Sequence, residues 1–281
     1  MKALLFLILT IQLQAQAAYR CERIFNPLET SVSSEFTVEI SASEPRQALL
    51  KAHADLVQNG QLEASATLLK KATRKSFVNL TPEQIQTLKV TRKKSATLRS
   101  VLQIFSKQHE PPEDFSDFVR DLGKMNDLLA VEKFEEAQAL AKKVAQEQSH
   151  VHFYELVKQT KLASPTSTLK YLEEIKDEAT KIMKNKKVTI DEYHEVRKIL
   201  KEFLYFYQVK AQNNSDPALQ KSLLYLFDLN EQLGELNDDL TAEVLNGRAT
   251  KTKTKIRFPD DARELILHFL ENSRIDIDKA S

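Results

Sequence analysis

One thirteen-residue pattern occurs twice in a chain that otherwise almost avoids glycine. Residues 117–129 and 228–240 both fit D-x4-L-G-x2-N-D-x-L. The fit pairs Asp117 with Asp228, Leu122 with Leu233, Gly123 with Gly234, Asn126 with Asn237, Asp127 with Asp238 and Leu129 with Leu240. Two of the four glycines among 281 residues fall at the same place in it. Upstream of each copy lies a basic, helix-forming stretch with an arginine, Arg92 before the first and Arg197 before the second. The two separations differ by six residues, which one longer loop around Gln212–Asp216 would absorb. A repeated helical unit is the expectation. Glycine inside a helix costs up to ~1 kcal/mol relative to alanine, so matching glycines imply a close neighbouring helix. Asp127 with Arg92, and Asp238 with Arg197, are the expected pairs. Gly123, Asn126, Asp127, Gly234, Asn237 and Asp238 are read first as residues that shape the packing.

Composition narrows the fold class. Leu, Lys, Glu, Gln and Ala dominate, there are 8 prolines, and tryptophan is absent. That favours an all-α protein. Helices are expected from Ser43–Pro45 to Asn59–Gly60, over Leu62–Lys75, and from a Thr81–Gln84 capping box to about Lys107. A break at His109–Pro112 precedes the helix carrying the first motif copy. Further helices are expected over Val131–Gln146, Val151–Lys161, Pro165–Lys184, Thr189–Ala211, Pro217–Leu245 and Asp260–Asn272. Residues 18–43 read as a leader with one strand, Phe36–Ile40. A first helical repeat spans 44–147, a connection 148–164, a second repeat 165–247, and a basic segment with a last helix 248–281. Short loops between antiparallel helices imply two bundles side by side.

Residues 1–17 read as a secretory signal peptide: Lys2, the apolar run Ala3–Ile11, and an Ala15-Gln16-Ala17 cleavage site. The expected location is periplasmic or secreted, with no transmembrane span after cleavage. The lone Cys21 permits no internal disulfide. Removal of Lys2 leaves 40 basic against 40 acidic residues, so any anion binding must come from local patterning.

That patterning is present. From Leu69 to Lys107 there are ten basic residues and one acidic, Glu83. Lys89, Arg92 and Arg99 share a stripe of one helix, with Lys93 beside it. In the helix Thr189–Ala211, His194, Arg197 and Lys201 form a second stripe, while Asp191, Glu195 and Glu202 lie on another. A solvated helix would interleave the signs; here they are segregated, and the bland alternative is a basic face neutralised by the acidic stretch after Asp114. His194-Glu195 does not continue to a metalloprotease motif. His150-x-His152 lacks a third ligand, so no metal or cofactor is expected. No nucleophile elbow, phosphate loop or dinucleotide fingerprint occurs, nor a pattern for specific nucleic-acid recognition, and an enzyme is not expected.

His194-x2-Arg197-x3-Lys201, the apolar run Phe203–Tyr207 and then Leu233-Gly234-x2-Asn237-Asp238 resemble the second half of the CHAD (conserved histidine α-helical) domain. Leu122-Gly123-x2-Asn126-Asp127 after the Arg92/Arg99 helix resembles its first half. The resemblance implies two four-helix bundles about a pseudo-twofold axis and binding of inorganic polyphosphate or a related phosphorylated polyanion. It implies His194, Arg197, Lys201, Arg92 and Arg99 as ligand contacts, with Lys89 and Lys93 beside them. The chain departs from the pattern where Lys89 stands in place of the first-repeat histidine, Ala96 replaces a basic residue, and Leu204 stands where arginine is frequent. The alternative is a helical envelope scaffold or protein-interaction module that binds no phosphate.

Overall fold

The computed structural model describes residues 19–20, 37–74, 77–211 and 214–277. The signal-peptide expectation and Cys21 lie outside the described residues.

The chain is mostly helical, as its composition requires. The helices are α1 (Glu44–Val57), α2 (Gln61–Arg74), α3 (Pro82–Phe105), α4 (Glu113–Ala130), α5 (Phe134–His150), α6 (Phe153–Gln159), α7 (Pro165–Met183), α8 (Ile190–Ala211), α9 (Pro217–Leu245) and α10 (Asp260–Asn272). Their starts follow local chemistry. The Thr81 hydroxyl accepts from Gln84 N–H at 3.3 Å while Gln84 Oε1 accepts from Thr81 N–H at 3.1 Å, the reciprocal cap expected there. Ser164 caps α7 and Asp216 caps α9, each just ahead of a proline. Asn59 and Gly60 take positive φ and turn the chain from α1 into α2. The expected start at Val131 moves to Phe134, because Glu132 adopts φ 59° and forces a turn first.

Short strands add what periodicity did not reveal. β2 (Thr37–Ile40) pairs in parallel with β5 (Arg274–Ile277). β4 (Lys255–Arg257) lies between β1 (Tyr19–Arg20) and β3 (Lys187–Thr189), parallel to the first and antiparallel to the second. The segment after Gly247 is therefore folded onto the body. No helix among the described residues is long and apolar enough to cross a membrane.

Buried apolar residues from Val38 to Leu270 form one connected core. Within it α3 packs on α4, α4 on α9, α9 on α8, and α8 back on α3. That closed ring of four helices positions the site. Elsewhere a buried ion pair ties α1 to α8: Lys210 Nζ lies 2.5 Å from Glu44 Oε1, with the side chains only 9% and 18% exposed. Removing one partner strands the other charge in a poorly hydrated place. Lys210→Ala is expected to destabilise by about 2–3 kcal/mol, readable by denaturant titration; a loss under about 0.5 kcal/mol would show the pair to be solvent-screened.

Candidate functional site: a basic cluster where four helices meet

Each motif glycine lies beneath an arginine. A Cβ on Gly123 would sit 3.4 Å from Arg92 Nε, and one on Gly234 would sit 3.1 Å from Arg197 Nη2. The close approach expected of these glycines is thus an arginine side chain of the preceding helix of each pair, laid across α4 or α9. On the second side the register is held by Tyr193, whose hydroxyl donates to the Leu233 carbonyl at 2.5 Å. Ordinary helix energetics and site geometry pull apart here. Gly234→Ala is expected to raise stability by up to ~1 kcal/mol through helix propensity, while pressing on the Arg197 guanidinium. Gly123→Ala, with ordinary contact distance, displaces less. Paired melting and ligand titrations check this: weaker binding with unchanged or higher stability for Gly234→Ala, and a smaller effect for Gly123→Ala.

The acidic halves of the motif differ between the copies. Asp127 forms an ion pair with Arg92 at 3.6 Å, with side chains 33% and 43% exposed, so the pair is weak. Burial raises the Asp127 carboxyl above its ordinary pKa, opposed first by Arg92; Asp238 pushes in the same direction as burial, and Lys251 and Arg197 oppose it. Asp238 acts electrostatically on Arg197 and Lys201 but forms no ion pair with either. Asn126 bonds back to the Leu122 carbonyl at 2.8 Å, whereas Asn237 reaches His194, with Nδ1 3.2 Å from Oδ1.

The cations converge. Arg92 and Lys93 from α3 and Arg197 from α8 all act on Lys201, with Asp238 of α9 as the only carboxylate among its main neighbours. Burial is the first cause, and with those like charges it lowers the Lys201 ammonium to about 7. Among the described residues Lys201 has no hydrogen bond or ion pair. Arg197 is lowered mainly by burial, and its buried Nε–H has no partner. Both side chains remain partly open to water. Lys251, from the turn after α9, acts on both Asp127 and His194. Its carbonyl accepts from Asp191 N–H at the start of α8 at 3.2 Å.

Three expectations need correction. His194 was expected to bind anions as a cation near neutral pH. Instead burial, partly offset by the Asn237 hydrogen bond, and the charges of Lys198, Lys251 and Arg197 lower its pKa below 6.5. With Nδ1–H donating to Asn237, neutral His194 offers an anion a lone pair on Nε2 and no donor. Lys89 is exposed a turn before Arg92 and is not among the main charges acting on the cluster. Arg99 adjoins Arg92, but after burial the largest influence on it is the carboxylate of Glu202, so it is partly compensated.

Glu202 opens an unforeseen network. Tyr171 of α7 donates to it at 2.6 Å, His109 stacks on Tyr171 with centroids 4.5 Å apart, and His109 Nε2 lies 2.9 Å from Ser167 Oγ. Burial pushes the Glu202 carboxyl up to about 7, against the lowering effects of Tyr171, Lys198 and Arg99. Sequence carried no signal for this network, which exists only because α3, α7 and α8 meet. Two concavities lie elsewhere. One of about 430 Å³ is bordered by Leu172, Lys176 and Arg274, and one of about 200 Å³ by Arg46, His53 and Tyr154; neither contains the cluster.

Comparison with protein-family models, curated proteins and solved structures finds no match to this chain. Its own charges and contacts carry the functional reading.

Proposed function

We propose that the chain is a non-enzymatic, exported binding protein for inorganic polyphosphate or another phosphorylated polyanion, built as two related helical bundles of CHAD-like kind. The ligand lies on Arg92, Arg197 and Lys201, with Lys93, Lys251 and Arg99 at the margins. One observation supports this most. Like charges from distant stretches of an almost neutral chain meet at one partly hydrated spot with too few carboxylates to compensate them. Such crowding lowers stability, and a bound polyanion relieves it. Each guanidinium or ammonium contact to a phosphate oxygen adds roughly 1.5–3 kcal/mol at most. The repeated arginine-over-glycine arrangement supports the duplicated architecture and a shared purpose for the two arginines.

The test is titration of the whole protein with long-chain polyphosphate at two salt concentrations. Saturable binding that weakens steeply with salt is the expected result. Absence of binding at low salt overturns the reading and leaves the helical scaffold, with an envelope protein as partner.

A further inference from the structure

The binding reading uses Lys201 only as a charge, yet its setting suits a second chemistry. Its ammonium has no carboxylate bonded to it, is largely surrounded by protein, and stands one helical turn from Arg197 with Arg92 and Lys93 facing it from α3. Positions four apart on a helix hold their Cβ atoms about 5–6 Å apart. A phosphate held by the guanidinium of Arg197 would thus place a neighbouring atom of the same small molecule within reach of the amine. We propose that Lys201 is a nucleophilic amine whose ligand is a phosphorylated aldehyde or ketone, anchored by its phosphate on Arg92 and Arg197 and captured as an imine. The proposal deepens the phosphate-binding reading above and rests on it for the anchor.

The step balances without a further reactant. The lone pair of the neutral amine attacks the carbonyl carbon, and the carbonyl oxygen takes up a proton to give the carbinolamine. Loss of that oxygen as water leaves C=N in place of C=O, and hydrolysis runs the same course backwards. An ordinary lysine has roughly one part in a thousand of free amine near neutral pH. Desolvation and adjacent cations are the two means by which a lysine becomes nucleophilic there, and both act on Lys201, whose pKa falls to about 7. The groups facing it are Arg92 and Lys93 of α3, Arg197 of its own helix and Asp238 of α9. The other elements packed on α8 direct their charges elsewhere: Tyr171 of α7 to Glu202, and Glu44 of α1 to Lys210. Two arginines neutralise one phosphate dianion, which leaves the amine uncharged for the carbonyl. A polyphosphate chain brings more charge than they neutralise and reprotonates Lys201, so the two ligands compete.

The experiment uses pyridoxal 5′-phosphate as probe on the full chain at pH 7.5, with borohydride reduction and peptide mapping. Label at Lys201 at least tenfold above the mean of the other lysines is expected. Pyridoxal without phosphate should label Lys201 at least tenfold less. Lys201→Arg should lose the imine absorbance and the mapped adduct. Label spread evenly over surface lysines, or equal labelling by the two aldehydes, overturns the proposal. Failure to label Lys201 in a protein that binds polyphosphate removes the amine chemistry and leaves the binding reading. Phosphate-dependent label at Lys201 that polyphosphate neither displaces nor slows removes the polyanion reading and leaves the amine site.

Discussion

Arg197→Ala combined with Lys201→Ala is expected to weaken polyphosphate binding on the order of 100-fold at low salt, from two charge-assisted contacts near 1.5 kcal/mol each. The folded state should not suffer. Arg197 carries an unpartnered buried Nε–H and Lys201 lacks an ion pair among the described residues, so their loss removes repulsion and desolvation more than it removes bonds. Melting should therefore be unchanged or slightly raised, which separates this variant from one that merely unfolds. Neutralising Lys170 and Lys221, both exposed and outside the cluster, provides the charge-matched control, with less than about a threefold effect. The salt dependence should flatten in the first variant more than in the control. Equal binding by the native protein and the Arg197/Lys201 variant would remove the site.

Affinity is also expected to fall as pH rises above 7. In the free protein Lys201 loses its proton near pH 7, and a bound polyanion raises that pKa toward the ordinary lysine value. Binding then takes up a proton, and the sign follows: affinity is greatest below pH 7 and decreases by up to tenfold per unit above it. Between pH 7 and 9 the loss is roughly 50-fold at most. Glu202 adds in the same direction, since its carboxyl, pushed up to about 7, becomes negative beside Arg99 over the same range. His194 titrates below its ordinary value and adds only at the acid end. Calorimetry in two buffers of different ionisation enthalpy measures the proton uptake, and Lys201→Arg should remove most of it. A flat profile from pH 6 to 9 would show that Lys201 does not contact the ligand.

The same two groups act oppositely on stability. Folded Lys201 binds fewer protons than the unfolded chain from about pH 7 up to the ordinary lysine value, so stability rises with pH in that window. Folded Glu202 binds more protons than the unfolded chain between its ordinary value and about 7, so stability falls with pH there. Their joint effect is a shallow minimum near neutrality.

The helices were legible to differing degrees. α9 and α10 match their expected spans because each begins behind a proline and ends where the apolar pattern stops. α5 starts later than expected because a positive φ at Glu132 carries no marker when the residue is not glycine. Strand β2 was visible as a weak alternation, but its partner β5 lies over two hundred residues away, and pairing over that distance leaves no local trace. The basic turn with Lys251 looked like an open arm because alternating Lys and Thr resembles a solvated tail. It is instead anchored to α8 and followed by β4.

Composition, heptad-free apolar periodicity and a twice-written motif were enough to determine a helical protein with two arginines matched to two glycines. These are local or repetitive properties, and a period or a count in one dimension expresses them. Which charges share a site was decided only by the packing of α3, α4, α8 and α9, because electrostatic energy depends on distance through space and on displaced water. That packing separated Lys89 from Arg92, turned Glu202 toward Arg99, brought Lys251 to Asp127, and left Lys201 among arginines with no ion pair of its own.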